Sequence, residues 1–151
     1  ITYGLTDTEF GTEESCNRAQ VVTFLWRAAG SPAPNSTAHS FVDVKKGSFY
    51  EKAVLWAVEN GITVGIDSTH FDPDAPCTRS EVVTFLWRAA DKPAASGSIP
   101  FSDVPANKWY AQPVLWAVQN GITYGMTDTL FDTEGICTRA QVVTFLYRAY
   151  T

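Results

Sequence analysis

The sequence repeats itself with a period of about sixty residues, and this feature constrains its fold more than any other. Residues 17–20 (Asn-Arg-Ala-Gln) return as residues 78–81 (Thr-Arg-Ser-Glu) and as residues 138–141 (Thr-Arg-Ala-Gln). Each copy follows a cysteine and precedes Val-Val-Thr-Phe-Leu. The three arginines are therefore 61 and 60 residues apart. A fixed period of this length predicts tandem structural units that bury their apolar faces against one another.

The longer repeat unit contains two segments with helical patterns. Its first half opens with Phe-x-Asp-Val and leads into Trp-Ala-Val-x-Asn-Gly-Ile-Thr, where Asn-Gly predicts a helix end. Its second half is the arginine motif, followed by apolar residues at helical spacing. Connectors rich in Pro, Ser, Ala and Gly separate the units. We predict a partial repeat at 1–30, holding only the second half, and full repeats at 41–91 and 101–151, together forming one structural domain.

Two helices per repeat with short irregular links predict an all-α protein. One helical hairpin is too small to bury both of its faces, so neighbouring repeats must share a core. The first helix of a full repeat is apolar nearly all round at 53–58, which indicates burial on more than one side. Pro113 replaces Ala53 in the last repeat, so we expect that helix to begin late or to bend.

Composition excludes several classes of function. The net charge is −5 and no run of Lys or Arg occurs, so the chain lacks the basic surface that nucleic acid requires. No segment approaches the roughly 18 apolar residues of a membrane span, so no membrane insertion is expected. A Gly-rich phosphate loop and a nucleophile elbow are also missing from the sequence. We therefore expect no catalysis and no cofactor.

A metal site is not expected either. Asp72-Pro73-Asp74 near Asp67 lacks the alternating ligands and the glycine of an EF-hand calcium loop. The sequence contains no C-x-x-C pair, and both histidines lie outside the repeat pattern, which argues against zinc.

Three cysteines occupy one equivalent position, directly before each arginine motif: Cys16, Cys77 and Cys137. An odd number excludes complete internal pairing. Three equivalent positions could pair only if they met at a common axis. We predict that each is a small buried hydrophobic residue. An intermolecular or redox role is the alternative.

The arginine motif is partly explained by helix capping. Thr78 and Glu81 form the pattern of a capping box, in which the hydroxyl and the carboxylate each accept a backbone N–H. Such a box contributes about 1 kcal/mol. It does not explain the arginine, because a cation in the first turn opposes the helix dipole. Either a carboxylate of the preceding loop, such as Asp7 or Asp128, pairs with the guanidinium, or the guanidinium belongs to an anion-binding site.

Several linked motifs occur in one order: Phe-x-Asp-Val, Trp-Tyr, Trp-Ala-Val-x-Asn-Gly-Ile-Thr, Phe-x-Pro and Cys-Thr-Arg-Ser-Glu. In the identity and order of these motifs, the chain resembles the S-layer homology (SLH) domain of bacterial cell-surface proteins over almost its whole length. The resemblance implies tandem helical-hairpin repeats arranged as a pseudo-threefold spindle. It also implies a non-catalytic anchor at the cell wall, whose inter-repeat grooves bind an anionic, often pyruvylated, secondary cell wall polysaccharide.

The resemblance also implies a set of ligand-binding residues. The motif arginines of the family correspond to Arg18, Arg79 and Arg139. The family's loop acid, three positions before a Phe, corresponds to Asp7 and Asp128, while Ser68 stands there in the middle repeat. The aromatic residue of the first half corresponds to Trp109 in the last repeat and Phe49 in the middle repeat. Because Arg139, Asp128 and Trp109 belong to one repeat, that repeat retains the fullest set of family features.

A second functional class stays open on the sequence alone. Recurring aromatic residues, three equivalent cysteines and altered loop positions also suit a module for protein–protein interaction or self-association at the cell surface. An acidic domain gains no long-range attraction to an anionic polymer. Affinity for such a polymer would have to come from local contacts in the grooves, with modest strength in each and more when several are occupied.

Overall fold

The all-α fold is confirmed by a computed structural model that describes residues 1–151. Five helices follow one another in the chain. Three begin at the motif arginines, and two contain the Trp-Ala-Val motif. Their bounds are α1 Arg18–Ala28, α2 Glu51–Glu59, α3 Arg79–Ala89, α4 Ala111–Gln119 and α5 Arg139–Tyr150. The only pairings of β type are three isolated bridges.

The helices that begin with arginine all carry the predicted capping box. Asn17, Thr78 and Thr138 each accept the N–H of the residue three positions later, and the side chain of that residue accepts the N–H of the cap. Asparagine and threonine therefore perform the same task, as do glutamine and glutamate. Local sequence thus explains where these three helices begin.

A closed ring of backbone hydrogen bonds joins the three segments that precede these helices. The N–H of Cys16 donates to the carbonyl of Cys137, Cys77 donates to Cys16, and Cys137 donates to Cys77, at 2.9–3.0 Å. The three equivalent positions therefore meet at one place in the fold. All three side chains are completely buried and form no disulfide bond. A side chain as small as cysteine suits a position where three chain segments converge.

One hydrophobic core runs through the whole chain. α1, α3 and α5 contact one another, α2 packs against α1, and α4 packs against α3. Core residues come from all five helices and from the loops between them, and they form one continuous cluster. The pseudo-threefold spindle stays a prediction, which the closed ring of cysteine hydrogen bonds supports.

The expectation that α4 begins late was wrong. α4 begins at Ala111, the counterpart of Glu51 at the start of α2, and has the same length as α2. Pro113 is buried and is the third residue of α4. Proline is tolerated there because the N–H groups of the first turn have no partner within the helix.

None of the five helices combines the length and the apolar character needed to cross a membrane.

We predict that the three cysteines behave as inert thiols in the folded protein. Burial raises the pKa of Cys16 to about 11, against an opposing effect of Arg139, and burial raises the pKa of Cys137 to about 12. Because the thiolate is the reactive form, a thiol reagent at pH 8 should label the native protein very slowly. It should label all three cysteines at once in denaturant. Rapid labelling of one native thiol, or a dimer that dissociates on reduction, would contradict this prediction.

Candidate functional site

The motif arginines are buried, and each one holds a loop that lies far away in the sequence. Nε of Arg18 donates to the carbonyl of Phe71, Nε of Arg79 to Phe131, and Nε of Arg139 to Phe10, each at 2.9 Å. Every guanidinium carbon also lies 4.7–4.9 Å from the ring centroid of that same phenylalanine. Each arginine thus joins its own helix to the loop of another repeat by one hydrogen bond and one cation–π contact.

These contacts explain why a cation recurs at the start of a helix. A buried guanidinium that donates to a carbonyl and faces aromatic rings is stabilised enough to offset the unfavourable helix dipole. A carboxylate partner is present for only one of the three, because Arg18 lies 3.1 Å from Glu81. Asp7 and Asp128 form no ion pair and are exposed. The structural role of the arginines therefore rests mainly on carbonyl groups.

The helix N-termini themselves are not free to bind an anion. The first two N–H groups of each of these helices donate to carbonyls of a neighbouring loop, as Arg18 does to Ala75 and Ala19 to Pro73. The third N–H donates to the capping side chain. The interpretation in which exposed N–H groups of the first turn bind an anion is therefore wrong. Any anion must be bound by side chains.

One groove combines a motif arginine with an exposed tryptophan. It has a volume of about 420 Å³ and lies between α1, α3 and the loop that follows α2. Its positive groups are Arg18 and Arg88, its only acid is Glu81, and Trp109 lies at its edge with 57% of its surface exposed. The groove therefore carries one net positive charge on a chain that is negative overall.

The predicted site residues that belong to one repeat do not lie together in the structure. Trp109 lines the groove of Arg18, although the two belong to different repeats. Arg139 instead donates to the carbonyls of Tyr3 and Phe10 in the partial repeat. Asp128 lies in the loop whose residue Tyr124 accepts a hydrogen bond from Arg79. The set of Arg139, Asp128 and Trp109 is therefore not brought together in one groove.

Arg88 was missed by sequence reasoning. It donates to the carbonyl of Ile62 and lines the groove of Arg18. Burial, together with the nearby charge of Arg18, lowers the pKa of Arg88. Arg27 and Arg148 hold the carbonyls of Ile1 and Ile122 in the same way. The signal was present, because an arginine recurs nine residues after each motif arginine. The sequence could not show that Arg88 lines the groove of Arg18, because that contact joins different repeats.

The aspartates of Phe-x-Asp-Val were also missed. The carboxylate of Asp43 accepts the N–H groups of Phe71 and Asp72, and that of Asp103 accepts those of Phe131, Asp132 and Thr133. Asp72 and Asp132 have left-handed backbone conformations, with φ of 61° and 65°. These carboxylates hold that unfavourable turn in place. They also fix the phenylalanine whose carbonyl receives the motif arginine.

Asp67 does not replace the loop acid that the middle repeat lacks. Its carboxylate accepts the N–H groups of Thr69 and His70 within its own turn. Thr6 and Thr127 occupy the same turn position in the other repeats and accept equivalent hydrogen bonds. The backbone N–H of Thr69 is the main cause that lowers the pKa of Asp67 to about 2. Asp67 is therefore a turn residue.

No group of three or more His, Cys, Asp or Glu side chains is arranged to hold a metal ion.

Fold and site together define a class: a helical repeat protein whose repeats are joined by buried arginines, one of which lines a groove. The S-layer homology domain matches residues 40–83 and 100–143. This chain belongs to that family. Its domains serve as cell-wall anchoring modules that bind cell wall polymers, and the protein is placed at the cell surface, outside the cell.

The chain is similar to parts of much longer bacterial proteins. The chain is 32% identical to a cell surface protein of Thermoanaerobacter kivui over 72% of its length. It is 31% identical to the surface-layer 125 kDa protein of Lysinibacillus sphaericus over 81% of its length, and 28% identical to an amylopullulanase of Thermoanaerobacterium thermosulfurigenes over 97%. The chain spans 15%, 10% and 8% of the lengths of these relatives.

We predict that Asp103→Asn destabilises the fold by about 2 kcal/mol in the free energy of unfolding, because the hydrogen bonds of a charged acceptor are lost or weakened. Burial raises the pKa of Asp103, but the N–H groups of Phe131 and its neighbours outweigh that effect and lower it. A lowered folded-state pKa gives stability above the unfolded value of about 3.9, and this stability is lost as pH falls through the folded value.

Urea unfolding at pH 7 and at pH 3 measures both effects. The difference between the wild-type protein and Asp103→Asn should shrink at the lower pH. Asp74→Asn is the matched control, because Asp74 is exposed and its carboxylate accepts no hydrogen bond. Equal losses in Asp103→Asn and Asp74→Asn at pH 7 would contradict the structural role of Asp103.

Proposed function

We propose that this chain is a non-catalytic anchor that binds an anionic secondary cell wall polysaccharide in its inter-repeat grooves, with the groove of Arg18 and Trp109 as the principal site. The observation that carries the proposal is the joint presence of two guanidinium groups and an exposed indole in one groove. An acidic sugar needs this combination, because a cation binds its carboxylate and an aromatic face packs against its ring.

The free atoms of the arginines suit this role. Nε of Arg18 is occupied by Phe71 and Nη1 by Glu81, which leaves Nη2 without a partner in the protein. Arg79 and Arg139 similarly keep Nη1 free. A carboxylate such as that of a pyruvyl group would accept a charge-assisted hydrogen bond from this remaining nitrogen. The same arginine would then hold the loop and bind the ligand.

Arg79 and Arg139 have fewer of these features around them. Phe49 stands next to Tyr50 before α2 with the same edge-to-face geometry that Trp109 and Tyr110 have before α4. Because α2 packs on α1 as α4 packs on α3, we propose that Phe49 serves Arg139 as Trp109 serves Arg18. Arg79 then has no such aromatic residue from this chain. Asp7 and Asp128 are exposed and would accept hydrogen bonds from sugar hydroxyls.

We further propose that the partial repeat at 1–30 and the repeats at 41–91 and 101–151 form one structural domain, supported by their common core. Occupation of several grooves by one polymer chain would raise the overall affinity above that of a single groove. The net charge of −5 gives no long-range attraction to an anionic polymer, so binding depends on these local contacts. The activities of the enzymes among the relatives would then reside in other parts of those proteins.

A protein–protein interaction or self-assembly module is the second candidate. It is favoured by the exposed side chains of Tyr147 and Tyr150 on α5. Its partner would dock on that helix, away from the groove of Trp109. The two candidates therefore place binding on different residues.

We predict that Trp109→Ala lowers binding to purified cell wall sacculi about tenfold, which corresponds to about 1.4 kcal/mol. The reason is the loss of the aromatic face at the edge of the groove. A co-sedimentation assay with sacculi, before and after chemical removal of the attached polymer, measures it. Tyr147→Ala is the matched control, because Tyr147 is an exposed aromatic residue outside this groove. Binding that survives polymer removal would sink the polysaccharide proposal.

We predict that Glu81→Gln strengthens binding to the anionic polymer severalfold. Glu81 is the only acid of the groove and neutralises Arg18 at 3.1 Å. Glutamine should preserve the capping box, since Gln20 and Gln141 complete the boxes of α1 and α5. The gain should disappear at high salt, because it is electrostatic. Unchanged affinity in low salt, with an unchanged melting temperature, would show that Arg18 does not bind the polymer.

A further inference from the structure

A cavity larger than the groove of Arg18 lies elsewhere in the protein. It has a volume of about 520 Å³, against about 420 Å³ for that groove, and the two share no lining residue. Its walls come from the last turn of α1, the first two turns of α2 and the segment 30–40 between these helices, which we call connector 1. A volume of this size suits a small organic molecule.

Connector 1 differs from its counterpart at 91–100, which we call connector 2. Both are fixed at the same point, because the indole N–H of Trp26 donates to the carbonyl of Pro32 as that of Trp87 donates to the carbonyl of Pro93. Two residues later, the chain of connector 2 is tied to the helix that follows it. That tie is the hydrogen bond from the N–H of Ala95 to Oε1 of Gln112 in α4.

Connector 1 cannot form the same tie. The counterpart of Ala95 is Pro34, which has no N–H, and the counterpart of Gln112 is Lys52, which has no acceptor atom. Packing follows this difference. Ala95 and Ile99 of connector 2 pack against the hydrophobic core, whereas neither alanine of connector 1 does. The space that remains between connector 1 and α2 is the cavity.

Connector 1 is nevertheless held in a defined position. The carboxylate of Glu59 on α2 accepts the N–H groups of Asn35 and Ser36, at 2.9 and 2.6 Å. The hydrogen bond from Trp26 to Pro32, at 2.8 Å, holds the other end of the connector. The cavity is therefore formed before any ligand enters, which lowers the ordering cost of binding.

The cavity has two cationic side chains that are free to act. Lys46 and Lys52 line it, are exposed, and form no ion pair within the protein. Glu51 is the only acid of the lining, and its carboxylate accepts the N–H of Gly47 at 2.6 Å. The cavity therefore carries one net positive charge. In the last repeat the counterparts of these three charged residues are alanine, alanine and glutamine.

The rest of the lining is largely apolar. Leu55 is buried, and Trp26 is half-buried with its indole N–H already engaged by Pro32. Ala33 and Pro34 face the cavity from connector 1. Such a wall suits an apolar ring, which gains free energy by leaving water. The lysines suit an anionic group on the same ligand.

We propose that this cavity is a binding site for a small organic anion that carries an apolar ring. The anionic group accepts hydrogen bonds from the ammonium groups of Lys46 and Lys52, and the ring packs against Trp26 and Leu55. The site contains no motif arginine and shares no residue with the groove of Arg18, so it acts independently of polysaccharide binding.

A titration with β-naphthoate at low salt tests the proposal, followed by NMR of the tryptophan indole N–H groups. The resonance of Trp26 should shift, because its indole forms a wall of the cavity. Acetate lacks the ring and β-naphthylmethanol lacks the charge, so each should bind at least about fivefold more weakly. No shift at Trp26 up to about 10 mM β-naphthoate, or equal affinity for β-naphthylmethanol, would overturn the proposal.

Charge variants test the role of the two lysines. Lys46→Ala combined with Lys52→Gln gives the residues that the last repeat has at these positions, and should weaken β-naphthoate binding at least about tenfold. The matched control is Lys45→Ala combined with Lys108→Gln, which removes the same charge from exposed positions outside the cavity and should bind as the wild type does. Equal losses in both double variants would mean that only overall charge matters, and the proposed site would be wrong.

A third variant tests the shape of the cavity. Pro34→Ala combined with Lys52→Gln supplies the N–H and the acceptor that tie connector 2 to α4. It should close the cavity and weaken β-naphthoate binding at least about tenfold, with a melting temperature equal to or above that of the wild type. Wild-type affinity in this variant would contradict the proposal.

Trp109→Ala separates this site from the groove of Arg18. It should leave β-naphthoate binding unchanged, because Trp109 lines the groove and not the cavity. If Trp109→Ala abolishes the binding, the anion occupies the groove and the proposed cavity site is refuted. None of these titrations involves the polysaccharide, so their failure would leave the proposed function standing.

Discussion

The contact between a helix-initial arginine and the loop of another repeat is the interaction on which the rest of this structure depends. It joins segments that are more than fifty residues apart in the chain, as with Arg18 and Phe71. A single hairpin of this size cannot bury its apolar faces, so stability has to come from contacts between repeats. The buried guanidinium supplies such a contact. Its hydrogen bond to a carbonyl is strong because the donor carries charge and the surroundings are dry.

Several local devices support this contact. The capping box sets the first residue of each helix and therefore the direction of the arginine. Asp43 and Asp103 hold the turn that presents the phenylalanine carbonyl. The ring of hydrogen bonds among the cysteine segments fixes the spacing of the three helix starts. Each device is small, but all of them constrain the same few atoms, which is how a loop-rich protein keeps a defined groove.

The same arginines contribute both to the fold and to the candidate site. The atoms that stabilise the fold are neighbours of the atoms available to a ligand, since Arg18 uses two of its nitrogens for the protein and leaves one. A change at such an arginine affects folding and binding together, whereas Trp109 lies at the groove without holding a loop. Groove specificity therefore depends more on the residues that differ between repeats than on the arginine that recurs.

The sequence by itself determined the repeat, the all-α class, the helix caps and the family, because these depend on local patterns and on spacing along the chain. Capping residues act on neighbours three positions away, and a period is visible without coordinates. Only the tertiary structure decided which residues share a groove. Trp109 meets Arg18 rather than Arg139, and the N–H groups of the helix starts are taken by carbonyls of other loops. The physical reason is that the groove is formed by residues of different repeats. The spacing of residues within one repeat does not reveal which residues of another repeat they contact.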